Sequence, residues 1–278
     1  MPSPSEFEAL TGPLRPQLRA HCYRMLGSLD DAEDAVQETL LRAWKSAGRF
    51  DAATVRPWLF TIATNRCLTM LKGRRRAPEW PEPYPVPAAE AAVVAQEGME
   101  LAFVAALLRL TARQRAVLLL RNLLGFSAAE TAQMLGTSVA AVNSALQRAR
   151  HVAPAGVAPD DKVREQAARY ARAWESGDVD AIVAMLTQDA RYSMPPLEER
   201  YAGRDAVRAL VADLAGFEWR FLPATANGQL AFGTYRRVDG GFVPSGLDVL
   251  RFEGPLVAEV VSFLEADFSR FGLPAAPP

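Results

Sequence analysis

The segment from Gly125 to Arg150 has the pattern of two short helices joined by a tight turn and followed by basic residues. Ser127 and Glu130 have the spacing of a capping box, in which each side chain can bond the other residue's backbone N–H. Gly136 permits a tight turn, and the Thr-Ser pair after it can cap a second helix. This pattern predicts a helix-turn-helix, which places its second helix in the DNA major groove. An ordinary helical hairpin with a polar face is the alternative.

The second helix of this motif has an apolar and a polar face. Val142, Leu146 and Ala149 recur at helical spacing, so we expect them to face inward. The opposite face carries short side chains near its N-terminus, where base edges would lie. The candidate DNA contacts of this helix are Ser138, Ala141, Asn143, Ser144, Gln147, Arg148 and Arg150.

Charge divides the chain into alternating segments. Residues 1–76 and residues 100–150 each carry a formal net charge of +4, whereas residues 77–99 carry −4 and residues 151–278 carry −5. Basic segments suit a polyanionic partner. We therefore expect two basic units that bind nucleic acid, joined by an acidic, proline-rich linker and followed by an acidic unit.

The periodicity of apolar residues changes along the chain and predicts a multidomain protein. Helical spacing before residue 151 predicts two all-α domains. Farther on, three helices precede strands separated by hairpin signals such as Asn227-Gly228, which predicts an α+β cone with a curled sheet. The predicted domains and linkers are residues 1–76, 77–99, 100–151, 152–160 and 161–278.

A loop and a helix of the first domain combine basic, aromatic and amide side chains. Such a set can hold an unpaired strand, because cations follow the phosphates while rings stack on the bases. Alternatively, Trp58 belongs to the core and the arginine run is a solvated helix end favoured by the helix dipole. The candidate residues are Arg49, Phe50, Asp51, Arg56, Trp58, Asn65, Arg66, Thr69, Lys72, Arg74, Arg75 and Arg76.

The chain resembles a bacterial extracytoplasmic-function (ECF, group IV) sigma factor of the sigma-70 family. Two segments resemble region 2, namely SLDDAEDAVQETLLRAW and RPWLFTIATNRCLTMLKGRRR. A third segment resembles region 4, namely LTARQRAVLLLRNLLGFSAAETAQMLGTSVAAVNSALQRAR. Their order and spacing match, and no segment resembling region 3 lies between them. The C-terminal unit is similar to a SnoaL-like domain of the NTF2-like fold, through WESGD at residues 174–178 and YAGR at residues 201–204.

The resemblance implies a subunit that directs RNA polymerase to promoter DNA. Region 2 would dock on the clamp helices of the polymerase β′ subunit, and region 4 would dock on the β flap. Region 2 would open and read the −10 element, chiefly through Asn65 and Arg66, and the last helix of region 4 would read the −35 element. The implied polymerase contacts, which could equally form a solvated helix face, are Asp34, Gln37, Glu38, Leu41, Arg42 and Trp44.

Two roles are open for the C-terminal unit. The preferred one is modulation of the sigma factor by intramolecular contact, with a small-molecule ligand as a possible partner. The alternative is an isomerase- or cyclase-type enzyme with DNA-binding regulatory units. Residues 152–278 contain no histidine, so Asp248 is the candidate acid or base. The residues predicted to line a possible ligand cavity are Tyr192, Trp219, Phe221, Asp248 and Phe263.

Composition sets further expectations. Cys22 and Cys67 have no zinc-site spacing with histidine, so neither a metal nor a cofactor is expected. The apolar runs are far shorter than the roughly 20 residues needed to span a bilayer, and a secretion signal is not recognised. We therefore expect a cytoplasmic protein without a membrane partner.

The fused domain predicts that no separate anti-sigma factor is obligatory. A dimeric repressor with two DNA-binding units is a third alternative.

Overall fold

Before residue 153, the regular elements are helices, as the periodicity predicts. The computed structural model describes residues 3–46, 54–72, 80–85, 98–152 and 160–277. The described α-helices of this part are α1 (Pro4–Thr11), α2 (Arg15–Leu26), α3 (Leu29–Lys45), α4 (Val55–Leu71), α5 (Leu101–Leu108), α6 (Ala112–Leu118), α7 (Ala128–Met134) and α8 (Val139–Ala149). A short 3₁₀ segment (Gly12–Leu14) joins α1 to α2, and a π-helical segment (Leu119–Leu123) extends α6.

The chain divides into two compact units. The first unit contains Met1–Glu82 and Ala88–Gly156, so it includes both predicted helical domains. The second unit contains Pro83–Pro87 together with Val157–Pro278. A piece of the linker between the two helical domains therefore belongs to the C-terminal unit.

Buried polar groups lie in the core between α2 and α4. His21 is 1% exposed, and its Nε2 lies 2.9 Å from the Thr64 hydroxyl oxygen. Burial, assisted by the nearby Arg24 charge, lowers the pKa of His21 to about 3, so the imidazole is neutral at physiological pH. Cys22 and Cys67 are buried free thiols of the same core.

The second unit is an α+β domain, as predicted. Its helices are α9 (Asp161–Glu175), α10 (Val179–Ala184) and α11 (Arg204–Leu214). Its strands are β1 (Leu186–Ser193), β2 (Arg200–Ala202), β3 (Trp219–Ala226), β4 (Gln229–Val238), β5 (Gly241–Glu253) and β6 (Leu256–Phe263). A 3₁₀ segment (Phe268–Phe271) follows the last strand.

These strands form one sheet in the order β2-β1-β6-β5-β4-β3. The predicted antiparallel meander is formed by β3 to β6, whereas β1 pairs with β6 in parallel, which the sequence pattern did not indicate. Register shifts interrupt the pairing at Thr234/Tyr235 and Arg251/Phe252. Such bulges bend strands and increase their twist, which suits a curled sheet.

The two faces of the sheet have different covers. The helical face packs against α9, α10 and α11 in a core that includes Trp174, Phe221 and Leu250. The other face is covered at β4 by the C-terminal tail, since the Tyr235 hydroxyl donates to the Pro274 carbonyl at 2.7 Å. A Cβ atom placed on Gly233 would lie 2.5 Å from Leu273 Cδ1.

This close approach predicts that Gly233→Ala displaces the tail and destabilises the C-terminal unit. The expected loss is about 1–3 kcal/mol, the usual cost of overpacking a tight site. It would be measured as a lower urea midpoint with near-ultraviolet circular dichroism. Gly216→Ala is the control, because a Cβ there has no neighbour within 4 Å. Equal midpoints for the two variants would contradict the packing described.

Candidate nucleic-acid interface and regulatory site

Helices α7 and α8 form the predicted helix-turn-helix. The Ser127 hydroxyl accepts the Glu130 N–H at 3.1 Å, and the Glu130 carboxylate accepts the Ser127 N–H at 2.7 Å, which completes the capping box. Gly136 has a φ of +58° in the turn, and the Ser138 hydroxyl caps α8 by accepting the Ala141 N–H at 3.2 Å. Each signal in the sequence therefore has the local structural role predicted for it.

The outward face of α8 is free within the described residues. Val142 and Ala149 are buried as predicted, Ala145 is buried with them, and Leu146 is half-buried. Arg148 donates to the Ser144 hydroxyl at 2.6 Å along this face. The seven candidate contacts are all exposed: Ser138, Ala141, Asn143, Ser144, Gln147, Arg148 and Arg150.

Helix α4 carries the described part of the second candidate set. Asn65, Thr69 and Lys72 are exposed, whereas Trp58 and Arg66 are half-buried. The hydroxyl of Thr69 donates to the Asn65 carbonyl at 2.9 Å. The remaining candidates lie outside the described residues: Arg49, Phe50, Asp51, Arg74, Arg75 and Arg76.

The N-terminal half of α4 contacts the second helical domain. The Arg56 guanidinium donates to the Leu124 carbonyl at 2.9 Å and lies 4.8 Å from the centroid of the Phe126 ring. The ring of Phe60 meets Phe126 edge to face at 5.9 Å. Farther along α4, Asn65 Nδ2 donates to the Met134 carbonyl at 3.3 Å. The sequence did not indicate these contacts, because a basic side chain beside aromatic residues also fits a nucleic-acid contact.

Arg115 is a functional candidate that sequence reasoning missed. It is 3% exposed, and its guanidinium donates to carbonyls at the C-terminal ends of two helices. Those acceptors are Leu107, Leu108 and Leu110, at or beyond the end of α5, and Met25 near the end of α2. Unpaired carbonyls and the helix dipole favour a cation at such ends. A single side chain thus ties the two helical domains together.

The polar face of α3 contains the residues predicted to contact polymerase. Asp34, Gln37 and Arg42 are exposed, and Leu41 is 55% exposed beside them. Arg42 forms an ion pair with the half-buried Glu38 at 2.7 Å, and this hydrogen bond lowers the pKa of the Glu38 carboxyl. Trp44 is half-buried, with its ring packed edge to face on Phe7 at 5.2 Å between centroids.

Glu82 of the linker is bound to the first helical domain. Its carboxylate accepts the Leu29 N–H at 2.7 Å at the start of α3, where the helix dipole favours a negative charge. The backbone N–H of Glu82 donates to the Gly27 carbonyl at 2.9 Å, and its carbonyl accepts from the Tyr23 hydroxyl at 2.7 Å. Three hydrogen bonds thus fix one linker residue.

Tyr84, two residues later, is part of the C-terminal unit. It is 1% exposed, and its N–H donates to Asn227 Oδ1 at 2.8 Å while its carbonyl accepts the Asn227 N–H at 2.8 Å. Pro85 forms an antiparallel bridge with Ala226 beside it. The predicted Asn227-Gly228 hairpin therefore also holds the linker.

The candidate ligand residues include a buried acid. Asp248 is 2% exposed, and the Tyr192 hydroxyl donates to its Oδ2 at 3.3 Å. Burial raises the pKa of Asp248 to about 6, against the opposing effect of the nearby Ser262 and Tyr192 hydroxyls. Burial, reinforced by the Asp248 charge, also raises the pKa of the Tyr192 hydroxyl.

The five predicted cavity residues do not share one lining. Trp219 and Phe221 belong to the core on the helical face, where Trp174, which the sequence analysis did not include, stacks on Phe221 at 6.0 Å. Phe263 follows Ser262, the partner of Asp248, so strand alternation places Phe263 on the opposite face. The other four residues lie on the helical side of the sheet, where Tyr192 shares the core with Trp219 and Phe221 and bonds Asp248.

A groove elsewhere in the C-terminal unit has a volume of about 470 Å³. Its lining residues come from α9, α10 and the β5–β6 turn and include Arg169, Arg172 and Leu256. None of the five predicted cavity residues lines this groove.

Comparison with known proteins identifies the class. The family model "Sigma-70 region 2" matches residues 10–77, "Sigma-70, region 4" matches residues 100–151, and "SnoaL-like domain" matches residues 167–260. The chain belongs to the ECF RNA polymerase sigma factors with a SnoaL-like C-terminal domain. It is 42% identical to "ECF RNA polymerase sigma factor SigG" of Mycobacterium tuberculosis, covering 97% of this chain and 84% of that protein.

A second relative supports the same arrangement. The chain is 36% identical to "ECF RNA polymerase sigma factor SigJ" of Mycobacterium tuberculosis over 68% of this chain and 64% of that protein. The crystal structure of SigJ matches with a TM-score of 0.72 at 29% identity, covering 97% of this chain and 99% of that one. The order of region 2, region 4 and an α+β domain is therefore similar in a solved relative.

Among the described residues, no group of three or more His, Cys, Asp or Glu side chains is arranged to hold a metal ion. None of the described helices combines the length and apolar character needed to cross a membrane.

The raised pKa of Asp248 predicts that stability falls as pH rises. The folded-state pKa of about 6 exceeds the ordinary 3.8, so the stability that the protonated acid provides is complete below about pH 4 and is lost through about pH 6. The loss is on the order of 3 kcal/mol, at about 1.36 kcal/mol per pH unit. We expect Asp248→Asn to flatten the pH dependence of the urea midpoint in this window, whereas Asp213→Asn, a change of an exposed carboxylate, should not. An unaltered slope in Asp248→Asn would contradict burial of this acid.

Proposed function

We propose that this sigma factor reads two promoter elements with separate helices and that its C-terminal domain restrains it. The observation that carries the proposal is the helix-turn-helix whose α8 exposes polar residues along one face. Asn143, Gln147 and Arg148 are exposed on that face and suit base edges or phosphates of the −35 element. The other four α8 candidates would contact the backbone or admit close approach of the helix.

Helix α4 would open and read the −10 element. Asn65 and Arg66 are the preferred base contacts, with Thr69, Lys72 and Trp58 beside them. The loop residues 49–51 and the basic run 74–76 belong to the same proposal through the family resemblance. Extrusion of a base costs roughly a few kcal/mol, which cationic and aromatic side chains can offset by holding the displaced strand.

The polar face of α3 would dock on the polymerase β′ clamp helices, and region 4 would dock on the β flap. Support comes from the exposure of Asp34, Gln37, Leu41 and Arg42 along this helix, which leaves them accessible to a partner. Glu38 and Arg42, which form an ion pair on this helix, would supply charge complementarity. We place this activity in the cytoplasm, where RNA polymerase acts.

The C-terminal domain would restrain initiation by holding the linker. Tyr84 is buried in the C-terminal unit, and Glu82 is bonded to region 2. The family resemblance implies that this acidic linker passes near the RNA exit path of polymerase. A linker held by the C-terminal domain would therefore have to be released before initiation. Because the restraint lies within one chain, an anti-sigma factor is not obligatory in this proposal.

A small molecule could alter this restraint if it binds one arrangement more tightly. The buried Asp248 supports such a site, because its Oδ1 has no hydrogen-bond partner among the described residues. We propose that the domain is a sensor, although the same buried acid next to Tyr192 favours an isomerase- or cyclase-type enzyme as second candidate. Initiation that depends on a ligand which the protein does not convert chemically would support the sensor, whereas conversion of that ligand would support the enzyme.

Run-off transcription with purified core polymerase tests the main proposal. The full chain should support initiation on templates selected from random promoter libraries, while core polymerase alone should not. The third alternative, a repressor, would bind duplex DNA tightly without polymerase. Failure of the full chain to bind core polymerase and to initiate on any template would refute the function.

Replacing Gln147 by Ala should alter preference at one base pair of the −35 element. A bidentate base contact contributes about 1–3 kcal/mol of discrimination. The measurement is relative run-off from templates that differ at single −35 positions. Gln133→Ala is the control, since Gln133 is exposed on α7 rather than on the proposed reading face. A uniform loss over all templates would show that Gln147 contacts phosphate instead.

Replacing Tyr84 by Ala should release the linker and raise initiation several-fold at limiting factor concentration. The substitution removes the buried aromatic side chain of a residue whose backbone is hydrogen-bonded to Asn227. Phe217→Ala is the control, because Phe217 is 44% exposed in the same domain. Run-off yield measured against factor concentration gives the comparison. Equal yields from wild type and Tyr84→Ala would rule out restraint through this residue.

A further inference from the structure

The groove between α9 and α10 of the C-terminal unit combines an apolar floor with basic side chains. Its volume of about 470 Å³ lies within the range of small-molecule sites, which is about 300–1,000 Å³. The apolar floor is formed by Ala181, Met185 and Leu256. Among the described lining residues, the charged ones are Arg169 and Arg172 of α9. The groove therefore has the composition of a site for a molecule with one charged part and one apolar part.

Helix α9 presents different side chains to the groove and to the core. Tyr170 and Trp174, four residues apart, are buried in the core on the helical face of the sheet. Arg169 and Arg172 are exposed and three residues apart, so helical geometry places them one above the other on a different side of α9. Because the core packing holds α9 in place, the two arginines are presented from a rigid element, which favours a preformed site.

Within the part of the chain that the structure describes, neither guanidinium of the groove pairs with a carboxylate. Arg169 Nη1 donates to the Gln166 Oε1 atom at 3.4 Å, and that partner is neutral. By comparison, Arg208 of α11 forms an ion pair with Asp180 at 2.6 Å. Like charges at neighbouring helix positions repel each other. An anion bound between Arg169 and Arg172 would therefore be attracted by both and would relieve their repulsion.

We propose that this groove binds a small amphipathic anion, whose acidic head group pairs with Arg169 and Arg172 while a short hydrocarbon chain lies on the apolar floor. The planar guanidinium of arginine matches such head groups, because it donates parallel hydrogen bonds to two oxygen atoms. Removal of the chain from water adds affinity. Asp248 does not line the groove, so the inference goes beyond the ligand site in the proposed function.

Both parts of such a ligand contribute to its affinity. Each methylene group that is fully buried raises the affinity by up to about fourfold. A neutral molecule with the same chain lacks the charge-assisted hydrogen bonds, which are roughly twice as strong as neutral ones. Salt screens exposed charges, so it weakens the pairing with the head group. We therefore expect an affinity that rises with chain length and falls with ionic strength.

Titration calorimetry of the full-length protein with octanoate tests the proposal. Octanoate should bind at one saturable site, while butyrate, which has a shorter chain, and 1-octanol, which has no charge, should each bind at least about tenfold more weakly. Arg172→Gln should weaken octanoate binding about tenfold, because it removes a charged donor. Arg164→Gln is the matched control, since Arg164 is exposed on the same helix and does not line the groove.

A second variant adds an anion to the groove instead of removing a cation. Ala184 lines the groove at the end of α10 and is exposed, so a larger side chain there leaves the core unchanged. Ala184→Glu retains both arginines and places a competing carboxylate in the same groove. It should weaken octanoate binding at least about tenfold. Ala209→Glu is the control for the added charge, because Ala209 is exposed on α11 and does not line the groove.

Several results would overturn the site. Absence of saturable octanoate binding would do so, and so would equal affinities of Arg172→Gln and Arg164→Gln for octanoate. Octanol binding as tight as that of octanoate would show an apolar site without recognition of an anion. Loss of binding in Asp248→Asn but not in Arg172→Gln would place the ligand at the buried acid instead. Since the titration involves neither polymerase nor DNA, none of these results bears on the proposed function, which run-off transcription tests.

Discussion

The guanidinium of Arg115 satisfies carbonyls at the ends of two helices that belong to different DNA-reading regions. Such carbonyls have no partner within their own helix, so a buried cation between them stabilises both helix ends and the contact. The arrangement couples the fold of region 4 to its position on region 2.

The linker between the two helical domains is bonded at two of its residues. A tether that only joined two DNA-binding domains would raise their effective concentration on one promoter. Here Glu82 is bonded at the start of α3, and Tyr84 is paired with Asn227 of the SnoaL-like domain. In the proposed function, the tether is the point through which the C-terminal domain influences the regions before it. A ligand or a protonation event near Asp248 can act on that domain only through a difference in affinity between its states.

Local signals in the sequence predicted much of the fold and of the helix-turn-helix. The capping box at Ser127, the turn at Gly136 and the α8 periodicity each depend on residues within a few positions, and all three are found. Contacts between distant residues were not predictable. The sequence does not distinguish Arg115 from the other basic residues of its helix, because its acceptor carbonyls come from distant positions, and the face on which Phe263 lies depends on its register with β5.

The central claim is that this chain, bound to core polymerase, reads two promoter elements with separate helices. Hydroxyl-radical footprinting on one promoter fragment, with the full chain alone and then with core polymerase, tests it most directly. The account predicts that the complex protects both the −10 and the −35 element at a chain concentration at which the chain alone protects neither. Protection of neither element by the complex would contradict it.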